Sequence, residues 1–200
     1  MSNNEREPVA LKEWAVTVKA LREGHLILVM RKGGIVEETR DFQLVSKGFY
    51  LMPAYEHQKE HLLKDTYQGQ ILGIMQGWSP DMPSMELNAY AEAVEDIEIT
   101  DQETLDRIRD FHIWTDTFAE ERLKWKRTKP LHLLLLRVYR LENPVELPMQ
   151  PAYIGCKSWV KLDEGMLQPA MTPVIPDEQF RQQVELIKQA LIGRDISEGS

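Results

Sequence analysis

The sequence predicts an α+β fold: a mostly antiparallel mixed sheet with an N-terminal meander, one long central helix and a closing C-terminal helix. Three observations carry this. Short apolar runs separated by glycine and proline turns crowd the N-terminal third. An apolar stripe at three-to-four spacing follows Thr100-Asp101-Gln102-Glu103, and a second follows Pro176-Asp177. The alternating strand–helix rhythm of a doubly wound sheet is missing.

The chain divides into a flexible arm over 1–10, a single α+β domain over 11–172, and a C-terminal helix with a short tail over 173–200 that packs on the same domain. Trp14, Val16, Val18 and Ala20 alternate with less uniform neighbours, which suits a strand. Arg22-Glu23-Gly24 makes a turn, and the unbroken run Leu26–Met30 gives a second strand, so the two are expected to pair as a hairpin. Ile35–Val45 is a polar excursion with Phe42 and Leu44 on one face. Phe49–Met52 is a strand stopped by Pro53, followed by a helix over Ala54–Lys64. The segment from Gly69 to Pro83, rich in glycine and proline and carrying Trp78, is a loop that suits a plain connection or, alternatively, a lid or specificity loop. Ala91, Ala93, Ile97 and Ile99 mark a strand with Glu92 and Glu98 on its other face. The capping box at Thr100 then opens the central helix, whose buried stripe is Leu105, Ile108, Phe111, Thr115, Phe118 and Trp125. Leu131–Tyr139 is too apolar for an edge and gives a central strand. Asn143-Pro144 begins an extended crossing, and Tyr153–Leu162 holds one strand bent at Gly155, or two. In the closing helix Phe180, Val184, Ile187 and Leu191 face inward, and Gly193 stops it.

Bulk properties narrow the function classes. A net charge of -8 argues against non-specific coating of nucleic acid, while leaving room for a local basic groove. One cysteine, Cys156, excludes an internal disulfide and fits a reducing compartment; it suits a small buried side chain or a thiol nucleophile. The polar start MSNNEREPVA has no signal-peptide core, and no apolar run is long enough to span a membrane. A cytoplasmic location with no membrane partner is the expectation.

Four constellations could carry chemistry. Arg31-Lys32-Gly33-Gly34 brings two cations to exposed backbone amides, which suits an anion, and equally a solvated hairpin turn. Tyr55-Glu56-His57-Gln58 follows a strand and a proline; a histidine beside a glutamate can act as a general base, so Tyr55, Glu56 and His57 are the catalytic candidates. The alternative is the first turn of a surface helix. His57-Gln58-Lys59-Glu60-His61 matches H-x-x-E-H, which on a helix would present His57 and His61 to zinc, with Glu120 or Glu121 as a third ligand. Arg122–Lys129 carries five cations around Trp125. Trp125, Lys126 and Arg127 could track a phosphate backbone by charge and stacking, or simply complement a helix C-terminus. Arg137, Arg140, Lys157 and Lys161 could extend such a footprint. No [DE]-x-K nuclease tripeptide, phosphate loop, G-x-S-x-G or CxxC is present, and no cofactor follows from the motifs.

Three segments resemble one known family. LKEWA (Leu11–Ala15), RKGGI (Arg31–Ile35) and LMPAYEHQ (Leu51–Gln58) are similar to the ALKEWA, RKGGI and LFPTYEHQ segments of the bacterial family catalogued as domain of unknown function 1802. Ala54 stands where the family has threonine, so a role for that hydroxyl does not carry over. The resemblance covers residues 10 to about 170 and implies a protein of unknown activity, with a suggested link to restriction–modification systems through a nuclease-type domain. Combined with the basic clusters, the expectation is a protein that acts on or near nucleic acid in a defence context. There Arg31 and Lys32 would hold a phosphate and Tyr55, Glu56 and His57 would supply any acid–base step. The alternatives are a metal-assisted hydrolase and a non-catalytic protein-interaction module.

Overall fold

The computed structural model describes residues 7–32, 42–125, 129–155, 157–163, 166 and 170–193. Gly33, Gly34, Lys126, Arg127 and Cys156, and all but the last residues of both the N-terminal arm and the Ile35–Val45 excursion, lie outside the described residues. The fold is α+β, built on one mixed sheet in the order β2-β5-β4-β3-β1-β6, with β7 also paired to β5.

Strand β1 (Val9–Trp14) passes without a connecting residue into helix α1 (Ala15–Arg22). The expected strand over Trp14–Ala20 is therefore a helix. Ala15, Val16, Thr17, Val18, Ala20 and Leu21 are all buried there, so the alternation of Trp14, Val16, Val18 and Ala20 marked no single solvent face. Strand β2 (Leu28–Arg31) does not pair with β1; it runs antiparallel to β5 (Leu131–Pro148). The predicted N-terminal hairpin and meander are replaced by a longer-range arrangement. Strand β3 (Gly48–Ala54) lies parallel to β1 and antiparallel to β4 (Ser84–Ile99).

Pro53 does not end β3. Pairing with β4 stops at Tyr50↔Tyr90, while pairing with β1 continues through Glu13↔Pro53 and Trp14↔Ala54. The proline's missing N–H therefore falls where no β4 ladder needs it. The helix expected over Ala54–Lys64 is absent. A turn at Glu56-His57 is followed by a single 3-10 turn over Glu60–Leu62, and His57 has a left-handed backbone (φ 64°). The Gly69–Pro83 loop contains one short helix, α2 (Gln70–Met75).

The single long helix is also corrected. It is two helices, α3 (Gln102–Asp106) and α4 (Asp116–Lys124), with a 3-10 turn over Arg109–Phe111 between them. Asp101, not Thr100, caps α3 by accepting from the Thr104 N–H at 2.8 Å. Between the helices the chain is extended: Lys64 N–H donates to the Ile113 carbonyl and Thr115 N–H to the Leu62 carbonyl, both at 2.9 Å. Thr115 then starts α4 by accepting from Phe118 N–H at 3.2 Å. Leu105, Ile108 and Phe118 are buried as the stripe required, but Trp125 is 47% exposed.

The central strand β5 pairs with β4 from Ile99↔Leu131 to Ser84↔Pro148. Asn143-Pro144 falls inside it, in a bulge where residues 141–144 stand opposite the single residue Asn88 of β4. Strands β6 (Trp159–Lys161) and β7 (Met171–Pro173) are short. Helix α5 (Asp177–Leu191) buries Phe180, Ile187 and Ala190 and ends before Gly193, whose φ of 73° suits glycine. Side chains alternate across the sheet: Leu11, Phe49 and Leu51 join the main core, while Ala10, Tyr50 and Met52 join a smaller cluster on the other face.

The sheet curls until its ends meet. Arg31 at the end of β2 reaches Glu13 on β1 and Ser158 just before β6. Phe42 stacks on Trp159 with centroids 6.1 Å apart, and Trp159 Nε1 donates to the Gln43 carbonyl at 2.9 Å. No helix among the described residues is long and apolar enough to cross a membrane.

Candidate functional site

The curl leaves a cleft of about 1180 Å³ where the end of β1, the end of β2, the turn after β3, the Trp78–Met82 segment and α4 come together. Arg31, Lys32, Tyr55, Glu56, His57 and Trp125, which are distant in sequence, all line it. The catalytic candidates and the described phosphate candidates thus share this cleft, whereas Arg137, Arg140 and Lys161 of the expected basic extension do not line it, and neither do Glu120 and the zinc candidate His61. That residue is exposed on the 3-10 turn, and with no helix there His57 and His61 do not share a helix face. Among the described residues no group of three His, Cys, Asp or Glu side chains has metal-holding geometry.

Gln58 explains why LKEWA and AYEHQ matter to one another. Its Oε1 accepts from Val16 N–H at 2.9 Å, which satisfies an orphan donor at the start of α1. Its Nε2 donates to the Tyr55 carbonyl at 3.1 Å. One amide therefore caps the helix that follows β1 and fixes the turn that follows β3. The left-handed His57 makes the reversal that lets Gln58 reach back.

Both cations assigned to phosphate by the sequence are already engaged. Arg31 is 9% exposed; its Nη1 donates to Glu13 Oε1 at 2.6 Å and to the Lys12 carbonyl at 3.3 Å, and its Nη2 donates to Ser158 Oγ. Its Nε is buried and has no hydrogen-bond partner among the described residues. Lys32, buried as well, donates from Nζ to the Leu123 carbonyl, and burial lowers its pKa. A less committed cation is Arg122 of α4. Its guanidinium lies 5.0 Å from the Phe118 ring centroid, and among the described residues no hydrogen bond or ion pair engages it. Burial, then the neighbouring charge of Arg31, push its pKa down, with Glu13 opposing.

Aromatic rings form the apolar surface. Tyr55 and Trp78 stack with centroids 5.4 Å apart and planes 13° apart. Trp14 and Phe118 meet at 5.5 Å in a tilted contact. Burial raises the Tyr55 pKa, and the charge of Glu86 adds to the effect while Arg22 opposes it. Glu56 and His57 are exposed, and no hydrogen bond joins Tyr55, Glu56 and His57 side chains to one another. Arg31, Lys32 and Arg122 gather on one side of the cleft and Glu56, Glu86 and Glu146 on the other, with Glu86 and Glu146 directly opposed across β4 and β5, while Lys12, Glu13, Lys59, Glu121 and Lys157 also line it.

Sequence reasoning missed Glu13, Ser158 and the role of Trp78. Glu13 carried a signal: it is a carboxylate in an apolar strand with no local cation facing it, which calls for a distant partner. Trp78 carried one too, as a tryptophan in a glycine- and proline-rich loop; Ser158 had none, because its neighbours come only with the closure of the sheet.

A family model described as a domain of unknown function (DUF1802) matches residues 10–186. No curated protein matches the chain in sequence. Among solved structures, a mutant ZmASCH protein from Zymomonas mobilis is similar, with 12% identity, a TM-score of 0.44, and coverage of 80% of this chain and 91% of that one.

Proposed function

From the premise that this chain belongs to the DUF1802 family, we propose that its cleft binds single-stranded nucleic acid, in the defence or restriction setting that the resemblance suggests. The observation that carries this reading is the convergence of the stacked Tyr55–Trp78 pair, the exposed Trp125 and the cationic side in one cleft. Every base has a face that stacks on an aromatic ring, and such stacking tolerates sequence variation. Carboxylates such as Glu86 and Glu146 accept from exocyclic amines of bases, while phosphates favour the Arg122 side. The volume exceeds the roughly 300–1,000 Å³ usual for one small ligand, which suits a short stretch of polymer. A duplex would present its stacked bases edge-on and could not use the aromatic surface.

Fluorescence anisotropy with labelled single-stranded and duplex oligonucleotides tests the reading. Single strands should bind more tightly, with affinity falling steeply as salt rises. Absence of single-strand binding at low salt would remove it.

A further inference from the structure

We infer that the cationic side of the cleft is a phosphate-group subsite in which Arg122 touches the phosphate and the Arg31–Glu13 pair holds the position from behind. The inference deepens the proposed nucleic-acid reading but rests on its own observation, an imbalance of buried charge. Three cationic side chains, Arg31, Lys32 and Arg122, gather here, and Arg31 and Lys32 are buried. Among the described residues one buried carboxylate, Glu13, faces them, and its Oε1 accepts from Arg31 at 2.6 Å. Among the described residues Lys32 donates only to the Leu123 carbonyl, which carries no full charge. Of the further charges nearby, Glu121 and Lys157 are exposed and of opposite sign, so solvent screens them, while the half-buried Lys12, which donates to the Tyr153 and Gly155 carbonyls at 2.8 and 2.7 Å, adds positive charge and does not restore the balance.

Buried charges are ordinarily paired, and an excess of one sign in a cleft wall is costly until a counter-charge arrives. The buried Nε of Arg31, without a partner among the described residues, is a second sign that hydrogen-bonding capacity exceeds what the described acceptors meet. The depressed pKa of Arg122, caused by burial and by Arg31, agrees with this crowding. The ring of Phe118 under the guanidinium restricts its motion, and a guanidinium so held offers a planar fork matched to phosphate oxygens. Arg122 stands three residues before Trp125, so a phosphate on Arg122 leaves an adjoining base within reach of the exposed indole.

The experiment uses the full chain and inorganic phosphate as probe, at constant ionic strength set with sodium chloride and with acetate as a carboxylate control. Wild-type melting temperature should rise with phosphate, and a 5′-mononucleotide should bind at least tenfold more tightly than its nucleoside. Arg122→Gln should abolish both effects, Arg122→Lys should retain part of them, and the exposed helical control Arg181→Gln should leave them unchanged. A phosphate response that persists in Arg122→Gln, or that acetate or chloride reproduces, overturns the subsite. If Arg122→Gln does not fold, loss of the fork in Arg122→Lys decides, and an undiminished response there overturns the proposal. Oligonucleotide binding with no phosphate response defeats the subsite and leaves the proposed function standing. A phosphate response without oligonucleotide binding does the reverse.

Discussion

The Arg31 guanidinium donates to the Glu13 carboxylate at 2.6 Å, with the two side chains only 11% and 9% exposed. The pair fastens the end of β2 to β1, two strands that share no ladder. It is therefore both a clasp on the curled sheet and the back of the cleft.

Glu13→Ala should destabilise the fold by about 3–5 kcal/mol, because it leaves a buried guanidinium without its counter-charge. Urea denaturation would show a lower midpoint. A loss below about 1 kcal/mol would mean that Arg31 escapes to solvent.

Gln58→Ala should cost about 0.5–2 kcal/mol through loss of the α1 cap, and it should also loosen the Tyr55 turn. The left-handed His57 gives a companion test. His57→Gly should keep or improve stability, whereas His57→Val should lower it by about 1–3 kcal/mol. If the two variants melt alike, the backbone at residue 57 is not constrained in solution.

Stability should depend on pH through His112. Burial, then the charge of Lys64, lower its pKa to about 4. Between the unfolded value near 6.5 and the folded value, the unfolded chain takes up a proton and the folded chain does not. Stability from this group is therefore complete above the unfolded pKa and is lost as pH falls through the window, by roughly 3 kcal/mol in all. Denaturation midpoints across that window should fall for the wild type, and His112→Gln should remove most of this slope.

Trp78→Ala should leave the melting temperature nearly unchanged, since Trp78 is half-buried on the cleft surface. Under the proposed function it should weaken single-strand binding by about 1–3 kcal/mol. Unchanged affinity would take the Tyr55–Trp78 stack out of the binding surface.

The sequence disclosed what is local or amphipathic, and what closure creates stayed hidden. The inward face of α5 was legible because Phe180, Val184 and Ile187 recur on one stripe, and β5 was legible from LHLLLL. The α1 segment misled because burial on nearly every side erases helical periodicity. The central helix misled because Leu105, Ile108 and Phe118 of its stripe are genuinely buried; the pairing of the 112–115 segment with Leu62–Lys64, a long-range event, divides it. At the site, Tyr55, Glu56 and His57 were visible as a dense polar cluster at a strand end, and Arg31 and Lys32 as cations after an apolar run. That Arg31 is spent on Glu13 while Arg122 is left with no ion-pair or hydrogen-bond partner among the described residues depends on which strands meet, and spacing carries no trace of it.

The bond between Arg31 and Ser158 spans 127 positions, and that from Lys12 to the Gly155 carbonyl spans 143. During synthesis, then, the wall of the cleft cannot assemble until most of the chain has left the ribosome. Until then the nascent chain carries β1 and β3 without β6, and β2 without β5, so apolar strand edges wait unpaired. Fragments that stop before Ser158 should be recovered as aggregates rather than as smaller binding units, and folding of the whole should be slow for its size because its decisive contacts are its most distant ones.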